Sequence, residues 1–324
     1  MGAKGLDSVR MEDITCPNSC PKEDEVILSD FDRIHNLPGQ FDVVKCRTCG
    51  LMRTNPRPTS DTISFYYPED YGPYIGTQVR PVDTKIGFIK FLTPLIRRIF
   101  NNKSQELPSI VIGRMMEIGC ASGTFLHKMA SQGWLVEGIE FNEKAAQNAR
   151  QLGYKVHVGP LESAPTPSHP VDLIVGWMVL EHLHNPIDCL KKLYKWSNTG
   201  AWLALSVPNA AAFEFRIFKG YWYALQLPNH LYHFTPQTLA QVLEAGGWKL
   251  VKIHHQRSII NLIASMSYVL DSKGLPRLSK WLHDLAFLGG KWFYLLFPAA
   301  WLLSIFGQTG RMTVWARKLE FQLR

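Results

Sequence analysis

From residue 109 onward, apolar and polar positions switch repeatedly between two periods. Short apolar runs "RMMEIG", "WLVEGIE", "YKVHVG", "VDLIVGWMV", "WLALSVPN", "WKLVKIHHQ" and "MTVWARK" read as strands. Between them, "TFLHKMASQG", "NEKAAQNARQLG", "PIDCLKKLYKWS" and "TPQTLAQVLEAGG" carry helical spacing. The punctuation agrees. Gly133 and Gly153 suit helix C-termini, Asn142 and Thr235 suit N-caps, and Pro236 suits a first helical turn. Strands alternating with helices predict a doubly wound, mainly parallel α/β sheet.

Residues 258–310 break the rhythm with "SIINLIASMSYVL" and "WFYLLFPAAWLLSIFG". The second run is short of the roughly 20 apolar residues needed to span a bilayer, and Pro298 lies inside it. The pattern predicts a helical hairpin inserted between the last two strands. Three roles fit it: buried core, a membrane-surface anchor, or an apolar wall for substrate.

The first 60 residues follow no such alternation. Cys16 and Cys20, then Cys46 and Cys49, form two close pairs, with "FDVVKC" and "GLMRTNP" as strands around the second. Four thiolates on two knuckles can close a tetrahedral zinc site and so stabilise a unit too small for a large core. Plain thiols or a redox pair are the other readings. Four cysteines leave no open position, so the zinc is expected to be structural. A connector, 61–108, follows. Its "SFYYPEDYGPY" is either a loop packing its rings on the next unit or a lid over a ligand. Its "KIGFIKFLTPLIRRIF" is a basic amphipathic helix, packed on its own domain or laid on an anionic membrane. The expected organisation is thus a module over 1–60, a connector over 61–108 and an α/β domain over 109–324.

Composition narrows the class. The 324 residues are 46% hydrophobic and 19% charged, which describes a folded protein, and the net charge of +8 favours anionic partners without choosing one. "MGAKGLDSVRMEDITC" has no apolar core of a secretory signal, and Leu6 stands where myristoylation needs Ser or Thr. The expected location is the cytoplasm, with peripheral contact to the inner membrane face. There is no interleaved set of aromatic and basic recognition strands, so nucleic acid is not an expected partner.

The chemistry concentrates at "MEIGCASGTF". It lies where a doubly wound sheet binds ligands, beyond the carboxyl end of a strand. Gly119 is followed by Ala121 and Thr124 where the dinucleotide fingerprint has glycines, so a pyrophosphate is poorly served. Glu140 ends the next strand, where an acid can accept both hydroxyls of a ribose. Glu117, the glycine loop and Glu140 together suit an aminoacyl nucleoside without phosphate.

These residues, with "VEGIEFN", "VDLIVGWMVLEHLHNP", "LALSVPN" and "LPNHLYHFTPQTL", resemble class I S-adenosylmethionine-dependent methyltransferases over about residues 109–318. The cysteine-rich start followed by "NPRPTSDTISFYYPEDY" resembles a bacterial subgroup carrying a zinc-ribbon-like module, often associated with surface-glycan or natural-product pathways. The resemblance implies a seven-stranded Rossmann-like fold with S-adenosylmethionine as cofactor. Glu117, Gly119, Cys120, Ala121 and Gly123 would line its methionine part, Glu140 and Phe141 its ribose, and Glu162 and Trp177 its adenine. Ala121 replaces the family's middle loop glycine.

Acceptor chemistry falls to two later loops. "LEHLH" supplies Glu181 and His182, and "NHLYHFT" supplies His230 and His233. A histidine is a suitable base for an alcohol proton, although capping or packing roles are the plain alternatives. His184 reads as a surface residue. "VLEH" with His230 also resembles the small-RNA 2'-O-methyltransferases, which gather two glutamates and two histidines around a divalent ion. Here Met178 stands where the remaining glutamate would be. The expected function is O-methylation of a sugar, lipid-linked or other small-molecule acceptor. The alternatives are C-methylation of a nucleotide-linked sugar, and a zinc-ribbon binding protein with an inactive methyltransferase-like domain.

Overall fold

The computed structural model describes residues 8–68, 101–287 and 291–319. The expected basic helix at 85–100 and most of the tyrosine-rich stretch lie outside them.

The first unit holds β1 (Met11–Glu12), β2 (Asp24–Asp30), β3 (Phe41–Cys46), β4 (Met52–Thr54) and β5 (Arg57–Pro58). Then come β6 (Arg114–Ile118), α1 (Thr124–Ala130), β7 (Leu135–Glu140), α2 (Glu143–Gln151), β8 (Lys155–Val158), β9 (Val171–Trp177), α3 (Pro186–Trp196) and β10 (Ser197–Pro208). The remainder comprises α4 (Phe213–Phe218), β11 (Tyr232–His233), α5 (Pro236–Ala245), β12 (Lys249–His255), α6 (Ile260–Ser272), α7 (Pro276–Phe287), α8 (Lys291–Ile305) and β13 (Arg311–Arg317).

Seven strands form the main sheet in the order β12-β13-β10-β9-β6-β7-β8. Only β13 runs against its neighbours. Its first residue, Arg311, therefore lies opposite Pro208, beside the carboxyl end of β10. Helices α1 and α2 cover one face through Leu126, Met129, Ala146 and Ala149. Helices α3 and α5 cover the other through Leu190, Leu193, Leu239 and Val242. The caps are where the pattern put them: Asn142 accepts the Ala145 N–H, and Thr235 accepts the Thr238 N–H in a reciprocal box.

The expected insertion between the last two strands is present as three helices, α6–α8, rather than a two-helix hairpin. No helix among the described residues is long and apolar enough to cross a membrane.

The amino-terminal unit is stitched into the larger domain. β11 completes its four-stranded sheet, in the order β11-β4-β3-β2. Phe41, Val43, Leu51 and Tyr66 share one apolar cluster with Leu231, Tyr232 and Phe234.

Candidate active site

The loop after β6 is shaped by close approach. Gly119 and Cys120 both donate their N–H to the Ile139 carbonyl, at 2.8 and 3.1 Å, which ties the loop to β7. Gly119 has φ +68, and a Cβ there would stand 2.6 Å from a Val179 methyl. Gly123 has φ +79, and its Cβ would stand 2.6 Å from that of Ala149. Both positions therefore demand glycine sterically. Ala121 adopts φ +46 and donates its N–H to Glu140 Oε2 at 2.8 Å. Glu140 Oε1 accepts the Asn142 N–H, also at 2.8 Å. Each oxygen of this buried carboxylate thus takes one backbone donor and keeps a lone pair that a ribose hydroxyl can use.

Glu117 is buried behind the loop. Its carboxyl is pushed well above the usual range by burial and by Glu140, and its Oε2 has no hydrogen-bond partner among the described residues. Trp177 ends β9 edge-on to Phe125 at 5.2 Å, with its indole Nε1 equally unpartnered. Phe141 is 48% exposed beside Glu140. Two expected ligands stand differently. Cys120 turns its thiol into the core toward Gly138, because the strand there has no Cβ to exclude it, so only its backbone lines the loop. Glu162 is on an exposed turn, with its carbonyl held by the Lys192 ammonium on α3.

The loops expected to carry acceptor chemistry do converge. The rings of His182 and His230 meet edge to face at 4.7 Å. His182 Nδ1 lies 2.9 Å from both the Asn229 carbonyl and the Tyr67 hydroxyl, and His230 Nδ1 lies 2.8 Å from the Ala224 carbonyl. A carbonyl can only accept, so both rings carry their proton on Nδ1 and present Nε2 as a lone pair. Burial pulls His182 down to about 4 and His230 well below its ordinary value, so both stay neutral at neutral pH. Glu181 is fully buried with neither oxygen partnered among the described residues, and burial pushes it up to about 8. Donor atoms of Glu181, His182 and His230 all lie within 4.8 Å of one another, so the three can also hold a metal ion.

His233 faces the other way. Its Nε2 contacts Thr54 Oγ1 at 3.3 Å in the seam between the two units, and burial lowers it to about 3. That is a packing position. His184 is not a surface residue: it is buried, with Nε2 3.0 Å from the Pro58 carbonyl. Residues missed in the sequence complete the edge. Tyr67 reaches His182, and Arg311 sits near Glu181 and His230 with Glu214 and Tyr223 beside it.

Away from this edge, the sulfurs of Cys16, Cys20, Cys46 and Cys49 also lie within 4.8 Å of one another, and no pair is joined as a disulfide. Zinc held at about 2.3 Å by four thiolates places sulfurs roughly 3.8 Å apart, so the set fits the ion. Burial raises the thiols of Cys16 and Cys20, the latter to about 11. At Cys46, N–H donation from Cys49 and Thr48 outweighs burial and brings it down to about 7.

The comparisons with known proteins meet this geometry. A family model described as a methyltransferase domain matches residues 88–253. The chain belongs to that methyltransferase family. A probable S-adenosylmethionine-dependent methyltransferase of Mycolicibacterium smegmatis is 26% identical over 149 residues, 45% of this chain and 56% of that protein. The ubiquinone biosynthesis O-methyltransferase of Aromatoleum aromaticum is 28% identical over 131 residues, 38% of this chain and 53% of that protein. The chain thus spans about half the length of the curated relatives it matches. Among solved structures, a methyltransferase from Mesorhizobium loti is 15% identical, with a TM-score of 0.45 over 70% of this chain and 97% of that one.

Proposed function

We propose that this methyltransferase moves a methyl group from S-adenosylmethionine to a hydroxyl on a sugar, lipid-linked or other small-molecule acceptor. The observation that carries the reading is the meeting of two half-sites at one sheet edge. The first is a glycine loop with a ribose-accepting Glu140. The second is a pair of histidines whose Nε2 lone pairs are set by backbone carbonyls. The cofactor, when bound, supplies an already activated sulfonium methyl. The protein has then to orient the acceptor and take its proton. The methyl leaves sulfur for the acceptor oxygen, and that oxygen's proton passes to an Nε2 of the His182–His230 pair. Depressed basicity keeps these rings unprotonated, so neither needs to lose a proton first.

The four cysteines are read as ligands of a structural zinc, supported by their mutual distances. The lipid-linked class of acceptor, and contact with the inner face of an anionic membrane, are supported by α8. Leu295, Leu302, Ile305 and Phe306 form an outward stripe, each more than half exposed, and no charged residue occurs from Trp292 to Phe306. Arg277 on neighbouring α7 supplies positive charge near Trp281, while Lys280 is paired with Asp284.

Two measurements test the reading. Calorimetric titration with S-adenosylhomocysteine should give saturable binding that Glu140→Ala weakens strongly; no binding ends the enzyme reading. Incubation with methyl-labelled cofactor and fractionated cell extract should label a glycan or lipid fraction at oxygen. Label on carbon of a nucleotide-linked sugar would replace O-methylation by C-methylation.

A further inference from the structure

Arg311 is a cation set into the acceptor edge. The antiparallel course of β13 puts it beside the carboxyl end of β10. Its Nε donates to Asn261 Oδ1 at 3.1 Å. Asn261 is itself buried and fixed by donating Nδ2 to the Gly310 carbonyl at 3.1 Å. This aims the guanidinium by one edge and leaves its terminal fork without a hydrogen-bond partner among the described residues. The residue is set deep in the edge and keeps partial solvent exposure.

Its neighbours do not neutralise it. Glu181 and Glu214 are near enough to act on its charge, yet neither comes within ion-pairing distance. Glu214 is turned instead to the Trp222 indole N–H at 3.3 Å. Burial raises the Glu214 carboxyl to about 7. A shielded cation without a counter-charge is costly, and a guanidinium fork matches carboxylate and phosphate oxygens two at a time. The same charge reaches His230, which places Arg311 on the side of the sheet edge that carries the histidine pair.

We propose that Arg311, oriented by Asn261, is an anion-binding subsite of the acceptor pocket, and that the methyl acceptor carries a phosphate or carboxylate group alongside its hydroxyl. This rests on reading the edge as the acceptor side of a methyltransferase, and it adds the charge class of the acceptor.

The test is calorimetry on the full chain saturated with S-adenosylhomocysteine, using inorganic phosphate, pyrophosphate and acetate as probes. The wild type should bind at least one of them, and Arg311→Gln should weaken that binding by about tenfold or more. Arg311→Lys keeps the charge and loses the fork, and should fall between. Lys249→Gln, at the exposed start of β12 and the opposite end of the sheet, should match the wild type. Preference for the phosphorus oxyanions identifies a phosphorylated acceptor, and preference for acetate a carboxylated one. Absence of anion binding in the wild type, equal binding in Arg311→Gln, or equal loss in Lys249→Gln overturns the proposal. If Arg311→Gln does not fold, Arg311→Lys carries the test, and wild-type affinity there overturns it. The anion titration is also run without S-adenosylhomocysteine. Failure of S-adenosylhomocysteine to bind would then strike the methyltransferase reading and leave the anion subsite measurable.

Discussion

Ala121 shows what a single residue settles. An alanine in the left-handed region is strained, and glycine is not, so Ala121→Gly trades strain against chain entropy. Its N–H to Glu140 survives the change. The variant should unfold within about 1 kcal/mol of the wild type and bind S-adenosylhomocysteine within a few-fold; denaturant titration and calorimetry check both. Glu181 offers a sharper case. Its carboxyl is raised from 4.5 to about 8, so between those values the folded chain holds a proton that the unfolded chain has released. Stability from this group is therefore present below about pH 4.5 and is lost as pH rises through 8. Glu181→Gln removes the dependence. The variant's gain over the wild type should grow by roughly 4 kcal/mol between pH 5 and pH 8.5 in urea titrations, and a gap that does not move with pH would refute the assignment. Glu117, Gly119, Gly123 and Glu140 were legible in the sequence because a loop and the strand after it are local. The place of Arg311 was not, since nothing in "GRMTVWARK" tells a surface arginine from one set beside Glu181 and Glu214.

At the scale of elements, local signals and distant pairings behaved differently. The Asn142 and Thr235 caps are read within four residues, and the structure has both. β11 is two residues long and exists by pairing with β4, 180 positions earlier, so no periodicity announces it. His184 was misread for the same reason: its partner is the Pro58 carbonyl. The insertion kept its ambiguity in the sequence because an apolar helix reads alike in a core and on a membrane. In the fold, α8 buries Phe297 and Ala300 and turns the opposite stripe outward. Burying a large apolar side chain is worth about 1.5–3 kcal/mol, so two such residues account for much of a peripheral anchor. Leu302→Glu with Phe306→Glu should abolish sedimentation with phosphatidylglycerol vesicles at low salt and leave S-adenosylhomocysteine binding unchanged. Wild-type protein that stays in the supernatant would reject the membrane reading.

Across the whole molecule, the cysteine knuckles and the His230 loop, proposed to face the acceptor, belong to one mechanical unit. Cys46 ends β3, β3 pairs with β4, and β4 pairs with β11. From β4, Thr54 donates its hydroxyl to the His230 carbonyl at 2.7 Å and its N–H to the Leu231 carbonyl at 3.0 Å. The seam continues through Arg57, whose guanidinium donates to the His184 carbonyl at 3.0 Å. The cofactor loop packs mainly on α1, α2 and β7 and touches the other half-site at Val179. Removing zinc should therefore act on the two half-sites unequally. With the proposed zinc as its ligand, a unit this small would fold around the metal, and its collapse would withdraw the strand that holds His230 in place. Chelation, or Cys46→Ser with Cys49→Ser, should release zinc and cut turnover by more than about tenfold, since misplacing a reacting group by an ångström costs about a hundredfold. Affinity for S-adenosylhomocysteine should stay within a few-fold. Thr54→Val tests the link without touching the metal: zinc content should be unchanged and turnover should fall. Equal loss of cofactor binding and turnover on chelation would mean that the module supports the entire domain rather than the acceptor half alone.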